Sequence, residues 1–165
     1  MLSNSKVMNL ILEVLVVKIL DQSAVNCYVC SPCEYTDDSH ADVLYAPTFV
    51  QTETFPPVVI EIQHTVDKPY LRRLMKYCGH IIDKYQVEPI ALTICVNAVR
   101  KEVTSMLEET TRAPFMKKLP SYSWDQNHFF ISEATIASFL DTTPLPPVVA
   151  LAYDKARNFP TWLRT

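Results

Sequence analysis

PPVVIEIQHTVDKPYLRRLMKYCGHIIDKYQVEPIALTICV, residues 56–96, decides the fold of this chain. VVIEIQ (58–63) reads as a strand by its β-branched content. Asp67 is placed to cap a helix, and Pro69 is tolerated in a first turn. Leu71, Leu74, Met75, Cys78, Ile81, Ile82 and Tyr85 then recur at helical spacing, the strongest periodic signal in the sequence. The opposite side carries Arg72, Arg73, Lys76, Tyr77, His80 and Lys84. PIALTICV (89–96) is nearly all apolar, as expected of a strand covered on both faces, typically a parallel one. Strand, helix, strand in that order implies a right-handed crossover.

Two polar residues interrupt the first strand. Glu61 and Gln63 are two apart and so share one face, while Ile60 and Ile62 share the other. A buried charge is costly without a partner, which can be a metal, a cation or a proton. Upstream, DVLYAPTFV (42–50) has strand character, with Pro47 hinting at a bulge or an edge position. QTETFPP connects the two strands as a hairpin with a longish loop. Hairpin pairing brings Asp42 to Glu61. Two close carboxylates repel, and a divalent cation relieves them. Mg²⁺ takes one or two carboxylates, retained waters and substrate phosphate oxygens. Asp42, Glu61 and Gln63 therefore read as a cluster holding Mg²⁺ or Mn²⁺ against a phosphodiester. The plainer alternative makes Glu61 and Gln63 the wet face of an edge strand, Asp42 a turn residue, and Arg73 and Tyr77 an exposed helix face.

The totals narrow the classes. A length of 165 residues suits one domain with a real core, and 48% apolar with 20% charged residues is ordinary for a globular protein. The net charge of −3 gives no bulk attraction for nucleic acid, so any such contact is a local patch. A single glycine, Gly79, excludes glycine-rich phosphate loops and dinucleotide fingerprints. Five cysteines, an odd number, fit a reducing compartment better than a disulfide framework. Cys27, Cys30 and Cys33 form part of a zinc-like or iron–sulfur-like set, with His40 or Cys78 as fourth ligand. A structural zinc site normally has two paired clusters, so loop thiols are the default reading. Residues 7–20 suit either an amphipathic helix or a buried strand. That run is too short and too charged to span a bilayer, and no signal-peptide cleavage site follows it. Residues 21–41 read as irregular, 98–110 as a second helix, 121–131 as ending in a strand, and Ser132 as the cap of a short helix. TTPLPP reads as a linker leading to another helix, and 154–165 as an irregular tail.

D(42)…E(61)-I-Q(63), followed by a helix with R(73)xxxY(77) and an apolar strand, resembles the PD-(D/E)XK nuclease superfamily. The nearest branch is that of transposase-like and recombination-promoting nucleases, in which E-x-Q often replaces E-x-K. The likeness covers Ala41 to Val96 and, more weakly, continues to about Tyr153. It implies an α/β fold with a restriction-endonuclease-like core, a mixed β-sheet flanked by helices. It also implies one domain over 1–153 with its core at about 41–140, Mg²⁺-dependent DNA cleavage, and a link to mobile elements. Asp42 and Glu61 would be the metal ligands, and Gln63 would stand where the wider superfamily has lysine. Arg73 and Tyr77 would face the site, with Arg72 and Lys76 holding DNA less specifically. Glu13 is a candidate for the usual upstream helix carboxylate.

An amide does not titrate near pH 7, so Gln63 would orient water or ligate through its oxygen. Proton removal would then rest on the metal or on a nearby group such as His64 or Lys68, and His64, expected on the opposite strand face from Gln63, is the poorer choice. Trp124 and Trp162 read as packing residues. The expected protein is intracellular, nuclear in a eukaryote and otherwise cytoplasmic. It binds DNA and no membrane, and a homodimer is compatible with the sequence. A second reading from another class is a catalytically inactive remnant of the fold that binds DNA or a protein.

Overall fold

The computed structural model describes residues 2–16, 27–32, 41–49 and 55–158. Helix α1 (Ser5–Leu15) opens the chain. Strands β1 (Tyr28–Ser31), β2 (Val43–Pro47) and β3 (Val58–Val66) follow. Helix α2 (Lys68–Tyr85) leads into β4 (Ile90–Val99). The short helix α3 (Lys101–Thr104), β5 (Glu108–Glu109), β6 (Lys117–Leu119) and β7 (Asn127–Ser132) come next, and α4 (Glu133–Ile136) and α5 (Pro147–Asn158) end the described chain.

One seven-stranded mixed sheet runs in the order β1-β2-β3-β4-β7-β6-β5. Its centre, β3, β4 and β7, is parallel, and antiparallel strands complete both flanks. Parallel strands need a crossover connection, and α2 supplies one between β3 and β4. Apolar runs such as PIALTICV fill this centre because both faces are covered. One face carries Val58, Ile60, Leu92, Ile94, Phe129 and Ile131 and packs with α1 and α5. The other carries Val59, Ala91, Cys95 and Phe130 under α2.

Helix α2 starts where Asp67 accepts the Tyr70 N–H at 2.8 Å, with Pro69 in the first turn. It stops at Gln86, which takes the left-handed φ of 58° that glycine more often supplies. The Gln86 amide donates to the Asp83 carbonyl at 2.9 Å and helps hold that turn. The α2 faces differ from the sequence expectation at two positions. Tyr77 is buried, whereas Met75 is 44% exposed. Tyr70, Leu74, Tyr77, Cys78 and Ile81 make the inward stripe at helical spacing, which leaves Met75 on its flank.

Other expectations are corrected. Residues 28–31 form edge strand β1, paired with β2, inside the segment read as irregular. The helix expected over 98–110 is replaced by the end of β4, four residues of α3 and the short strand β5. Helix α5 continues through Asp154 to Asn158, where an irregular tail was expected. Trp162 lies outside the described residues. Residues 7–20 resolve to helix α1 as far as Leu15. No helix among the described residues is long and apolar enough to cross a membrane.

Candidate active site

The β2–β3 register places Val43 opposite Ile60 and Leu44 opposite Val59. One step further, Asp42 stands opposite Glu61. The two residues bind each other's strand. The Asp42 backbone N–H donates to Glu61 Oε1 at 3.0 Å, and the Ile62 N–H donates to Asp42 Oδ2 at 2.7 Å. Glu61 shares the β3 face of Val59, so its carboxylate lies on the α2 side of the sheet. It is 4% exposed. Burial, and then the negative charge of Asp42, push its carboxyl up to about 8. The Asp42 backbone N–H and the charge of Arg73 oppose that rise. At pH 7 Glu61 therefore holds its proton far more than an ordinary carboxyl does.

Gln63 follows on the same face. Its Oε1 accepts from Arg73 Nη2 at 2.7 Å, and its Nε2 donates to the Thr65 carbonyl at 2.9 Å. The pairing of β3 with β4 shifts register between Gln63 and Thr65. His64 falls within that irregularity, and its Nδ1 is 3.2 Å from Thr65 Oγ1. Arg73 is exposed, and its guanidinium lies over the Tyr70 ring, 5.4 Å from the centroid. Exposed cation–π pairs contribute about 0.5–1 kcal/mol, enough to bias a long side chain.

The remaining expected residues divide by position. Arg72 and Lys76 are exposed on α2, one turn apart. Tyr77 is packed in the core with Leu74 and Cys78, so at most its edge is open to a phosphate. Glu13 is exposed on α1, and α1 packs on the face opposite Glu61. Cys30 is exposed on β1 and Cys27 lies just before that strand, while Cys33 and His40 fall outside the described residues. Among the described residues no three His, Cys, Asp or Glu side chains gather as a metal set.

Behind the acidic pair lies a polar chain that the sequence reading missed. Tyr70 Oη is 2.6 Å from Thr93 Oγ1, which is 2.7 Å from His128 Nε2. All three residues are at most 1% exposed. Burial, then the charge of Glu61, push the Tyr70 phenol well above its ordinary range. Burial pushes His128 down to about 3, so its ring is neutral at pH 7. His128 Nδ1 has no hydrogen-bond partner among the described residues, and leaving such a group unsatisfied costs about 1–3 kcal/mol. Trp124 meets the His128 ring edge-on at 5.6 Å. Next to it Asp125 accepts from the Ser121 hydroxyl, and burial raises its carboxyl to about 7. A single polar residue inside PIALTICV, and a histidine opening an apolar strand, were the available sequence signals.

The donor set at Asp42 and Glu61 fits a hard divalent cation. A carboxylate has about four acceptor positions, and each of these two accepts a backbone N–H. Burial raises Glu61 and repulsion by Asp42 adds to the rise, and a cation at that point removes the repulsion. Gln63 Oε1, two residues along the same strand face, is engaged by Arg73. Comparison with protein-family models, with curated proteins and with solved structures gave no match.

Proposed function

We propose that this chain is a metal-dependent endonuclease-like domain, of the PD-(D/E)XK kind, that hydrolyses DNA phosphodiester bonds. One observation carries the reading: Asp42, directly before β2, and Glu61, on the antiparallel neighbour β3, are each bonded to the backbone of the other's segment on the sheet face under α2. The hairpin, helix and parallel strand around them follow the order that the resemblance implies, which supports a restriction-endonuclease-like core.

Asp42 and Glu61 would hold Mg²⁺ or Mn²⁺. When bound, such an ion polarises a phosphoryl oxygen and acidifies water. Glu61 must give up its proton to serve as a ligand, so binding strengthens as pH rises. Gln63 neither gains nor loses a proton, and orients its neighbours through its amide. Arg73, exposed and held beside Gln63, offers a planar fork for the phosphate that flanks the scissile bond. Arg72 and Lys76 add sequence-independent attraction to the DNA backbone.

The test is nicking of supercoiled plasmid with Mg²⁺ or Mn²⁺ by the wild type and by Glu61→Ala. The wild type should nick and the variant should not. Equal nicking by both rejects the assignment. The burial of Glu61 and the engagement of Gln63 by Arg73 also favour a second reading, a catalytically silent remnant that binds DNA or a protein. Retention of DNA without nicking, and without affinity for millimolar Mn²⁺, would select it.

A further inference from the structure

We propose that Thr93 and His128, acting through Tyr70, are positioning residues for Arg73. This rests on the nuclease reading only for its catalytic consequence. The contacts form one unbroken path across four elements. His128 on β7 bonds Thr93 on β4, Thr93 bonds the Tyr70 hydroxyl on α2, and the Tyr70 ring lies under the Arg73 guanidinium. Arg73 then donates to Gln63 on β3.

Each link removes one freedom. Tyr70 is 1% exposed, and its hydroxyl bond fixes how far the ring stands out from the sheet. Arg73, three residues later and exposed, is its neighbour on the helix surface. An exposed arginine holding one hydrogen bond has many rotamers, and a fixed ring beneath it selects those that keep Nη2 on Gln63. Mutual satisfaction of buried polar groups is the simpler explanation of the path, but it leaves His128 Nδ1 over, with no partner among the described residues. A core packed for stability alone is served as well by apolar residues at 93 and 128. On the simpler explanation, breaking the path leaves Arg73 undisturbed.

The deciding variant is Thr93→Val, which keeps the shape at 93 and removes both hydrogen bonds. NMR of the Arg73 guanidinium in the full chain reports the result. In the wild type, slow rotation should give resolved Nη signals, and in Thr93→Val they should merge into one averaged signal. Plasmid nicking by the same variant should lose about tenfold in kcat with KM for DNA unchanged, the signature of a displaced group rather than lost binding. A folded Thr93→Val with wild-type Arg73 signals overturns the proposal. Should Thr93→Val not fold, Tyr70→Phe keeps the ring, loses the hydroxyl bond, and is expected to give the same averaging. If the wild type never nicks DNA, the nuclease reading fails while the Arg73 signals still decide this one.

Discussion

Glu61→Gln should make the metal-free protein more stable in alkali, and the size of the gain follows from the Glu61 environment. Burial and the charge of Asp42 lift this carboxyl from 4.5 to about 8. Each tenfold change in proton affinity is worth about 1.4 kcal/mol, so the full effect is about 5 kcal/mol. The sign follows from which state holds the proton. Below pH 4.5 the folded and unfolded chains both hold it, and stability is unaffected. As pH rises toward 8 the unfolded chain ionises first, so stability falls. Above pH 8 the folded chain carries the whole penalty. Glutamine keeps the shape and never ionises, so the variant escapes this loss. Urea unfolding in EDTA at several pH values from 4 to 9 measures the difference between the two proteins. Asp125 and His128 also titrate, but they do so in both proteins and cancel from the difference. The variant's relative stability should rise by several kcal/mol across that range. A difference that stays flat within about 1 kcal/mol would refute the reasoning, since one pKa unit alone is worth about that much.

Four shorter predictions rest on other features. Asp42→Asn removes the second cause of the Glu61 shift, so carboxyl NMR should show Glu61 titrating below about 8. His128 is held neutral by burial, so its share of stability is present above pH 6.5 and is lost as pH falls toward about 3. His128→Phe should therefore flatten the acid limb of unfolding, measured as the difference from wild type between pH 3 and 7. Gly79 lies inside α2, and an added Cβ there meets nothing within 4 Å, so Gly79→Ala should stabilise by about 1 kcal/mol and raise Tm. Removing the bond between Lys117 and the highly exposed Glu109, by Glu109→Gln, should change unfolding free energy by less than about 1 kcal/mol.

The central architecture was legible because its signals are long and regular. The β-branched content of VVIEIQ, the α2 stripe and the apolar run of β4 gave the hairpin, the helix and the parallel pairing. The Asp42–Glu61 juxtaposition followed from hairpin geometry alone. The peripheral elements were too short for periodicity to register. β1 has four residues, α3 four and β5 two, and their pairing partners, not their composition, make them. Tyr77 and Met75 were exchanged between faces because the inward stripe of α2 turns toward Tyr70 and Tyr77, while Leu74, Cys78 and Ile81 stay inward. The Tyr70–Thr93–His128 path was invisible for another reason. Its members lie 23 and 35 residues apart on three elements, and only tertiary packing brings them together.

Calorimetric titration of Mn²⁺ into the metal-free protein near pH 7 tests most directly whether Asp42 and Glu61 grip a dication. Run in two buffers of different ionisation enthalpy, it also counts the protons released. The expected result is one ion bound per chain at millimolar metal or below, with proton release from Glu61, and both signals lost in Glu61→Gln. Absence of heat at millimolar Mn²⁺, or equal binding by wild type and Glu61→Gln, would contradict it.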